Sequence, residues 1–169
     1  MNACDQAALE ALAGEVGELL LANSERLATA ESCTGGWVGQ CATAIVGSSR
    51  WFERGFVTYS NDAKIETLGV GAETLAAHGA VSEATAAAMA RGALRHSRAD
   101  WALAITGVAG PGGGSPARPV GTVCFAWAGP EGRIETATRC FVGDRAAVRA
   151  QSVAQALQGL LQRARRPLG

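Results

Sequence analysis

Residues 100–106 read Asp-Trp-Ala-Leu-Ala-Ile-Thr, an unbroken apolar run of strand length in the middle of the chain. A strand with one wet face alternates between apolar and polar residues. A strand without that alternation needs cover on both faces, as in a sheet sandwiched between helical layers. Everything else in the sequence has to supply that cover.

The flanking segments do so. Leu9, Leu12, Val16, Leu19 and Leu20 form a helical stripe over about 5–22, with Asp5 placed to cap it. Residues 26–31 read as a short strand, 34–46 as a helix starting just after Ser32, and 52–60 as a second strand beyond the turn Gly47-Ser48-Ser49. Asn61 or Asp62 caps a short helix that carries Lys64 and stops at Gly69. Helices follow over 72–78 and, from Ser82, through Arg95. Beyond the apolar strand and a glycine-proline loop, strands over 120–128 and 133–142 flank Gly129-Pro130-Glu131-Gly132, a hairpin signal. Asp144 opens a last helix through about Arg163. The order α-β-α-β-α-α-α-β-β-β-α predicts one domain over 1–169, an α/β fold of three α/β/α layers with a mixed central sheet.

Charge narrows the function. The formal net charge is +0, which gives no reason to expect nucleic acid as a partner. No stretch approaches the length of a membrane span, and no signal peptide is found. Five cysteines without CxxC spacing, an odd number, fit a reducing cytoplasm, and only two histidines make a Cys/His metal site poorly supplied. No metal and no cofactor are expected.

Ser32 lies in Ala30-Glu31-Ser32-Cys33-Thr34-Gly35-Gly36, where a strand gives way to a helix. A serine there either caps the helix or serves as a nucleophile. A cap bonds back to its own helix, whereas a nucleophile points into a cleft. The glycines permit a tight turn and close substrate approach, and amides at the helix start would hold an oxyanion. Tyr59 is the only tyrosine, and Lys64 the only lysine among 15 basic residues. Lysine, unlike arginine, can be deprotonated to act as a base, provided burial or a nearby charge depresses its pKa. Together Ser32, Tyr59 and Lys64 have the parts of a serine amidase or esterase that dispenses with histidine. Neither the Ser-x-x-Lys nor the Tyr-x-x-x-Lys spacing is present.

Thr106-Gly107-Val108-Ala109-Gly110-Pro111-Gly112 follows the apolar strand, where open α/β sheets hold ligands. It lacks a Walker or dinucleotide fingerprint, and it reads either as a flexible lead-in or as a backbone nest for a phosphate or ribose. Arg145, with Arg149 a turn later, offers a further anion site or a solvated pair. Glu31 either orients Lys64 or ends a strand. Ser49 either bonds the ligand or serves its turn. Cys33, beside Ser32, has no histidine partner to make it the nucleophile.

The run 30–36, Thr58-Tyr59-Ser60-Asn61 with Lys64, Gly79-Ala80-Val81-Ser82-Glu83, and 106–111 followed by Pro119-Val120-Gly121-Thr122-Val123 together resemble the CinA C-terminal domain family, collinearly over about 10–163. The resemblance is to the stand-alone form, without the additional N-terminal domain of longer relatives. It implies hydrolysis of nicotinamide mononucleotide to nicotinic acid mononucleotide and ammonia, with catalysis by Ser32, Tyr59 and Lys64. Substrate contacts are expected from Glu31, Cys33, Thr34, Gly35, Gly36, Ser49, Thr106, Gly107, Ala109, Gly110, Pro111, Gly112 and Arg145. A homo-oligomer is expected, and the apolar strand 120–128 is compatible with pairing across subunits.

Overall fold

A computed structural model describes residues 4–165, so both ends of the expected span 1–169 lie outside the described residues. Five strands form one sheet in the order β2-β1-β3-β4-β5: β1 Leu27–Glu31, β2 Phe52–Val57, β3 Trp101–Gly107, β4 Thr122–Ala128 and β5 Ile134–Cys140. β1 runs parallel to both β2 and β3, while β4 is antiparallel to β3 and β5, which makes the sheet mixed. Six helices cover it: α1 Gln6–Asn23, α2 Trp37–Thr43, α3 Asn61–Leu68, α4 Ala72–His78, α5 Glu83–Arg95 and α6 Arg145–Ala164.

The two faces of the sheet differ in side-chain size. Leu27, Trp101, Leu103, Ile105, Val123, Phe125 and Trp127 point to one face, where α1, α2 and α6 pack. Their strand neighbours Ala28, Ala30, Ala102, Ala104, Ala126 and Ala128 point to the other and meet Ala86, Ala87, Met89, Ala90 and Ala93 of α5. The alternation was there in the apolar run, large against small rather than apolar against polar. Small residues on both partners bring α5 close to the sheet.

The caps explain most helix boundaries. Asp5 Oδ1 accepts from Ala8 N, Ser82 Oγ from Thr85 N and Asp144 Oδ1 from Ala147 N, as the sequence predicts. Two helix starts differ. Ser60, rather than Asn61 or Asp62, caps α3 through its Oγ at 3.0 Å from Ala63 N. α2 begins at Trp37, not just after Ser32, because Gly35 and Gly36 adopt φ of 61° and 96° and keep 34–36 in a turn. β4 is an interior strand paired on both sides, so it has no edge for another subunit; β2 and β5 are the edges.

Candidate active site

β1 lies between β2 and β3, so the chain leaves its C-terminal end toward one side and returns on the other. The crevice at that switch of direction is where open α/β sheets accept ligands. Ser32 sits there, its N–H bonded to Ile105 O at 2.9 Å and its carbonyl accepting from Gly35 N at 3.0 Å. Strand alternation then separates two adjacent side chains. Glu31 points toward α2, and Ser32 points the other way, toward α3.

On that side Lys64 Nζ is 3.1 Å from Ser32 Oγ and donates to Thr58 O at 2.8 Å. Lys64 is 1 % exposed and Ser32 is 8 % exposed, so the pair is shielded from bulk water. Burial penalises the ammonium form and holds the Lys64 pKa below the ordinary lysine value, a trend that the Cys33 thiol next door opposes. Ser32 is not a cap: Gly36 occupies that position of α2. Cys33 is itself buried, and its thiol is pushed up to about 11, again mainly by desolvation.

A cleft of about 230 Å³ gathers Ser32, Cys33, Tyr59, Lys64, Thr106, Gly107, Ala109 and Arg145 from the expected set. It also brings in Asn61, Ala80 and Val81, which the sequence reading did not single out as site residues. Ala80 and Val81 precede α5 and reach the cleft because Thr106 Oγ1 donates to Ala80 O at 2.8 Å. That tie links the end of β3 to the loop before α5, far apart in sequence. Their only sequence signal was the run 79–83. Tyr59 stands at the mouth, 63 % exposed, and its phenol oxygen accepts from Arg145 Nη2 at 2.9 Å. Arg145 Nη1 donates to Gly110 O at 2.8 Å, so the glycine loop turns a carbonyl toward that arginine. Pro111 and Gly112 lie on the exposed outside of the loop.

Several expected contacts fall elsewhere. Glu31 does not reach Lys64: its buried carboxylate accepts from Thr34 Oγ1 at 2.7 Å, Val38 N at 3.0 Å and Gly39 N at 3.1 Å. Its pKa is raised, because desolvation outweighs those bonds. The same bonds occupy the first amides of α2, so the start of that helix is not open to an oxyanion. Thr34 is fully buried, and Gly35 and Gly36 line a separate cleft of about 480 Å³ with Gln6, Trp37 and Arg149. That cleft is larger but holds no nucleophile or base. Ser49 precedes β2 in a one-turn helix over 48–50, at the opposite end of the sheet from Ser32, and is exposed. Within one chain it cannot touch a ligand in the Ser32 cleft. Arg149 is not a free cation, since Nε and Nη2 donate to Cys33 O and Thr34 O.

Among the described residues no cluster of His, Cys, Asp or Glu could hold a metal ion, and no helix is long and apolar enough to cross a membrane. The chain is 58% identical over 151 residues to nicotinamide-nucleotide amidohydrolase PncC of Escherichia coli K12, covering 89% of this chain and 92% of that protein. It is 52% identical to the protein of the same name from Pseudomonas putida, covering 89% and 94% of the two chains. The crystal structure of competence/damage inducible protein CihA from Agrobacterium tumefaciens superposes with a TM-score of 0.88 at 46% identity, covering 91% of this chain and 94% of that one. The CinA C-terminal domain matches over residues 9–164, and the chain belongs to that family.

Proposed function

We propose that the chain hydrolyses the carboxamide of nicotinamide mononucleotide, giving nicotinic acid mononucleotide and ammonia. The observation that carries this reading is the buried contact of 3.1 Å between Lys64 Nζ and Ser32 Oγ in a cleft. The activity printed for the relatives in Escherichia coli and Pseudomonas putida supports the choice of amide.

In the reactive state Lys64 is neutral. One N–H stays on the Thr58 carbonyl, and the lone pair takes the Ser32 proton as Oγ bonds to the carboxamide carbon. The tetrahedral oxyanion forms beside the new ammonium and takes the Cys33 amide as donor. The C–N bond then breaks, and Lys64 returns its proton to the leaving nitrogen, which departs as ammonia. Water, deprotonated by the same amine, cleaves the ester and restores Ser32. Tyr59 serves the carboxamide and its leaving nitrogen from the solvent side. The lining holds Lys64 and Arg145 but no carboxylate, which suits a ligand with an anionic phosphate. At about 230 Å³ the cleft is smaller than the roughly 300–1,000 Å³ that encloses a whole ligand. The ring and carboxamide enter it, and the phosphate remains at Arg145 beside the glycine loop.

We place the reaction in the cytoplasm, because all five cysteines are unpaired. A homo-oligomer fits the edge strand β2, which ends in the exposed Val57 and leads to the exposed Tyr59. Incubation of the chain with nicotinamide mononucleotide and a panel of small phosphorylated amides, with ammonia as the readout, tests the reading. Ammonia from the nucleotide is expected. Binding without ammonia would make the chain a sensor, and faster release from another amide would reassign the substrate.

A further inference from the structure

Ser32 owes its position to its backbone, since among the described residues the one bond made by its hydroxyl is to Lys64, the proposed base. The turn from Ser32 to Gly36 contains two left-handed glycines and leads to a helix whose cap position is a glycine with no side chain. Such a turn is soft unless something outside it holds it. The side chains of Glu31 and Arg149 do, from opposite ends of the sequence. Glu31, on the far face of β1, takes the Thr34 hydroxyl and the Val38 and Gly39 amides, the cap that Gly36 lacks. Arg149, in α6, donates from Nε to Cys33 O at 3.0 Å and from Nη2 to Thr34 O at 3.2 Å. Its guanidinium lies 5.4 Å from the Trp37 ring centroid, which keeps it over the turn. Each peptide unit is a rigid plane, so fixing the Cys33 and Thr34 carbonyls fixes the Cys33–Thr34 and Thr34–Gly35 planes, while the Ser32–Cys33 plane is held by Gly35 N on Ser32 O.

We infer that Glu31 and Arg149 are positioning residues that clamp the nucleophile turn and hold Ser32 Oγ in reach of Lys64. Neither lines the Ser32 cleft. The inference rests on the amidase reading only for its kinetic readout. Side-chain bonds to a backbone that carries a nucleophile act on its geometry more than on substrate affinity. A misplacement of an ångström at a reacting atom is enough to cost about a hundredfold in rate.

The test uses the full chain and the variants Glu31→Gln, Thr34→Val, Arg149→Gln and Arg149→Lys. Ammonia release gives kcat and KM, and a small alkyl fluorophosphonate reports the nucleophile without the nucleotide. In that reaction Ser32 Oγ bonds to phosphorus, fluoride leaves, and the serine proton passes to Lys64. Expected is a drop in kcat of about a hundredfold for Glu31→Gln and Arg149→Gln, with KM within about threefold and phosphonylation slowed in parallel. Arg149→Lys keeps one donor and falls between. Raised KM at unchanged kcat, or phosphonylation at the wild-type rate, overturns the clamp, as does a wild type that the probe fails to label. Should Glu31→Gln not fold, Thr34→Val removes one arm of the same carboxylate, and wild-type labelling there overturns it equally. A wild type that is labelled but releases no ammonia removes the amidase reading, and the labelling rates alone then decide the clamp.

Discussion

The amine of Lys64 lies 3.1 Å from Ser32 Oγ and is held there by a second bond, 2.8 Å long, to the carbonyl of Thr58. α3 delivers the lysine and the end of β1 delivers the serine. β2 leads to Thr58, whose N–H in turn bonds to Glu31 O at 2.9 Å. The amine is thus fixed relative to the strand that carries Ser32.

If that contact is the catalytic one, Ser32→Ala removes the attacking atom and leaves the rest in place. Ser32 Oγ makes no other bond among the described residues, so the fold should survive. We expect kcat for ammonia release to fall by roughly three orders of magnitude or more, with an unchanged circular dichroism spectrum. Activity within tenfold of wild type would remove Ser32 from the mechanism.

Lys64 ties activity and stability to pH in one direction. Its folded pKa lies below the unfolded value of about 10.4, because burial disfavours the ammonium. Between those two values the unfolded chain binds more protons than the folded one. The lysine's cost to stability is therefore full below the folded value and is relieved as pH rises through the window. In Lys64→Met the slope of unfolding free energy against pH should flatten across that window, as urea titrations at a series of pH values would reveal. The rate has the matching limb: kcat should rise with pH toward the folded pKa in wild type. In the variant that limb disappears and kcat falls by about 10²–10⁴-fold. A lysine limb at the ordinary value would mean that the amine is not desolvated during turnover.

Much of this arrangement is legible in the sequence, and the misses share a cause. The lone lysine, the lone tyrosine and the glycine turn after a strand are local signals, and the structure brings Ser32, Lys64 and Tyr59 to one cleft. The sense of each side chain across a sheet is not local. Glu31 and Ser32 look like one motif but serve opposite faces, and Ser49 looks close to Ser32 but lies at the other end of parallel strands. Ser60, Asn61 and Asp62 are all good caps, so composition alone could not choose among them. Ala80 and Val81 carry no chemistry of their own and enter the cleft only through the Thr106–Ala80 bond.

Arg145 and Tyr59 meet at the mouth of the cleft, and the proposed reaction gives them different roles. Arg145 holds both the phenol oxygen and the Gly110 carbonyl, and the residue is exposed. Arg145→Gln should raise KM for the mononucleotide by about tenfold or more, as loss of one charged hydrogen bond implies, and should affect the riboside little. Tyr59→Phe should instead lower kcat by about 10–100-fold at similar KM, less than the loss at Lys64. Equal KM changes for nucleotide and riboside in Arg145→Gln would put the phosphate elsewhere.

Cys33 adjoins Ser32, yet its chemistry should be silent. Burial pushes its thiol up to about 11, so almost none is thiolate at neutral pH, whereas Cys140 is exposed on β5. Brief treatment with iodoacetamide at pH 7.5 should alkylate Cys140 and leave Cys33 unmodified on peptide mapping, with ammonia release intact. Preferential labelling of Cys33 would show a more open site than the buried pair implies.

The packing under α3 links the core to Lys64. A Cβ added at Gly92 of α5 would lie 2.0 Å from Leu68 O and 2.9 Å from Leu68 C. Those are backbone atoms at the end of the helix that carries Lys64. Alanine ordinarily gains up to about 1 kcal/mol over glycine inside a helix. Here the clash wins, because a backbone carbonyl cannot swing aside as a side chain does, and overpacking of this kind costs about 1–3 kcal/mol. Leu68 is fully buried, and its carbonyl also accepts from Arg95 Nη2, so α3 has to move as a unit. Gly92→Ala should therefore lower Tm by about 4–8 °C for a net loss of about 2 kcal/mol in a chain of this size. It should also reduce kcat, since displacing α3 stretches the Lys64–Ser32 contact. A variant of wild-type Tm and wild-type kcat would mean that α3 and α5 are not packed backbone to backbone in solution.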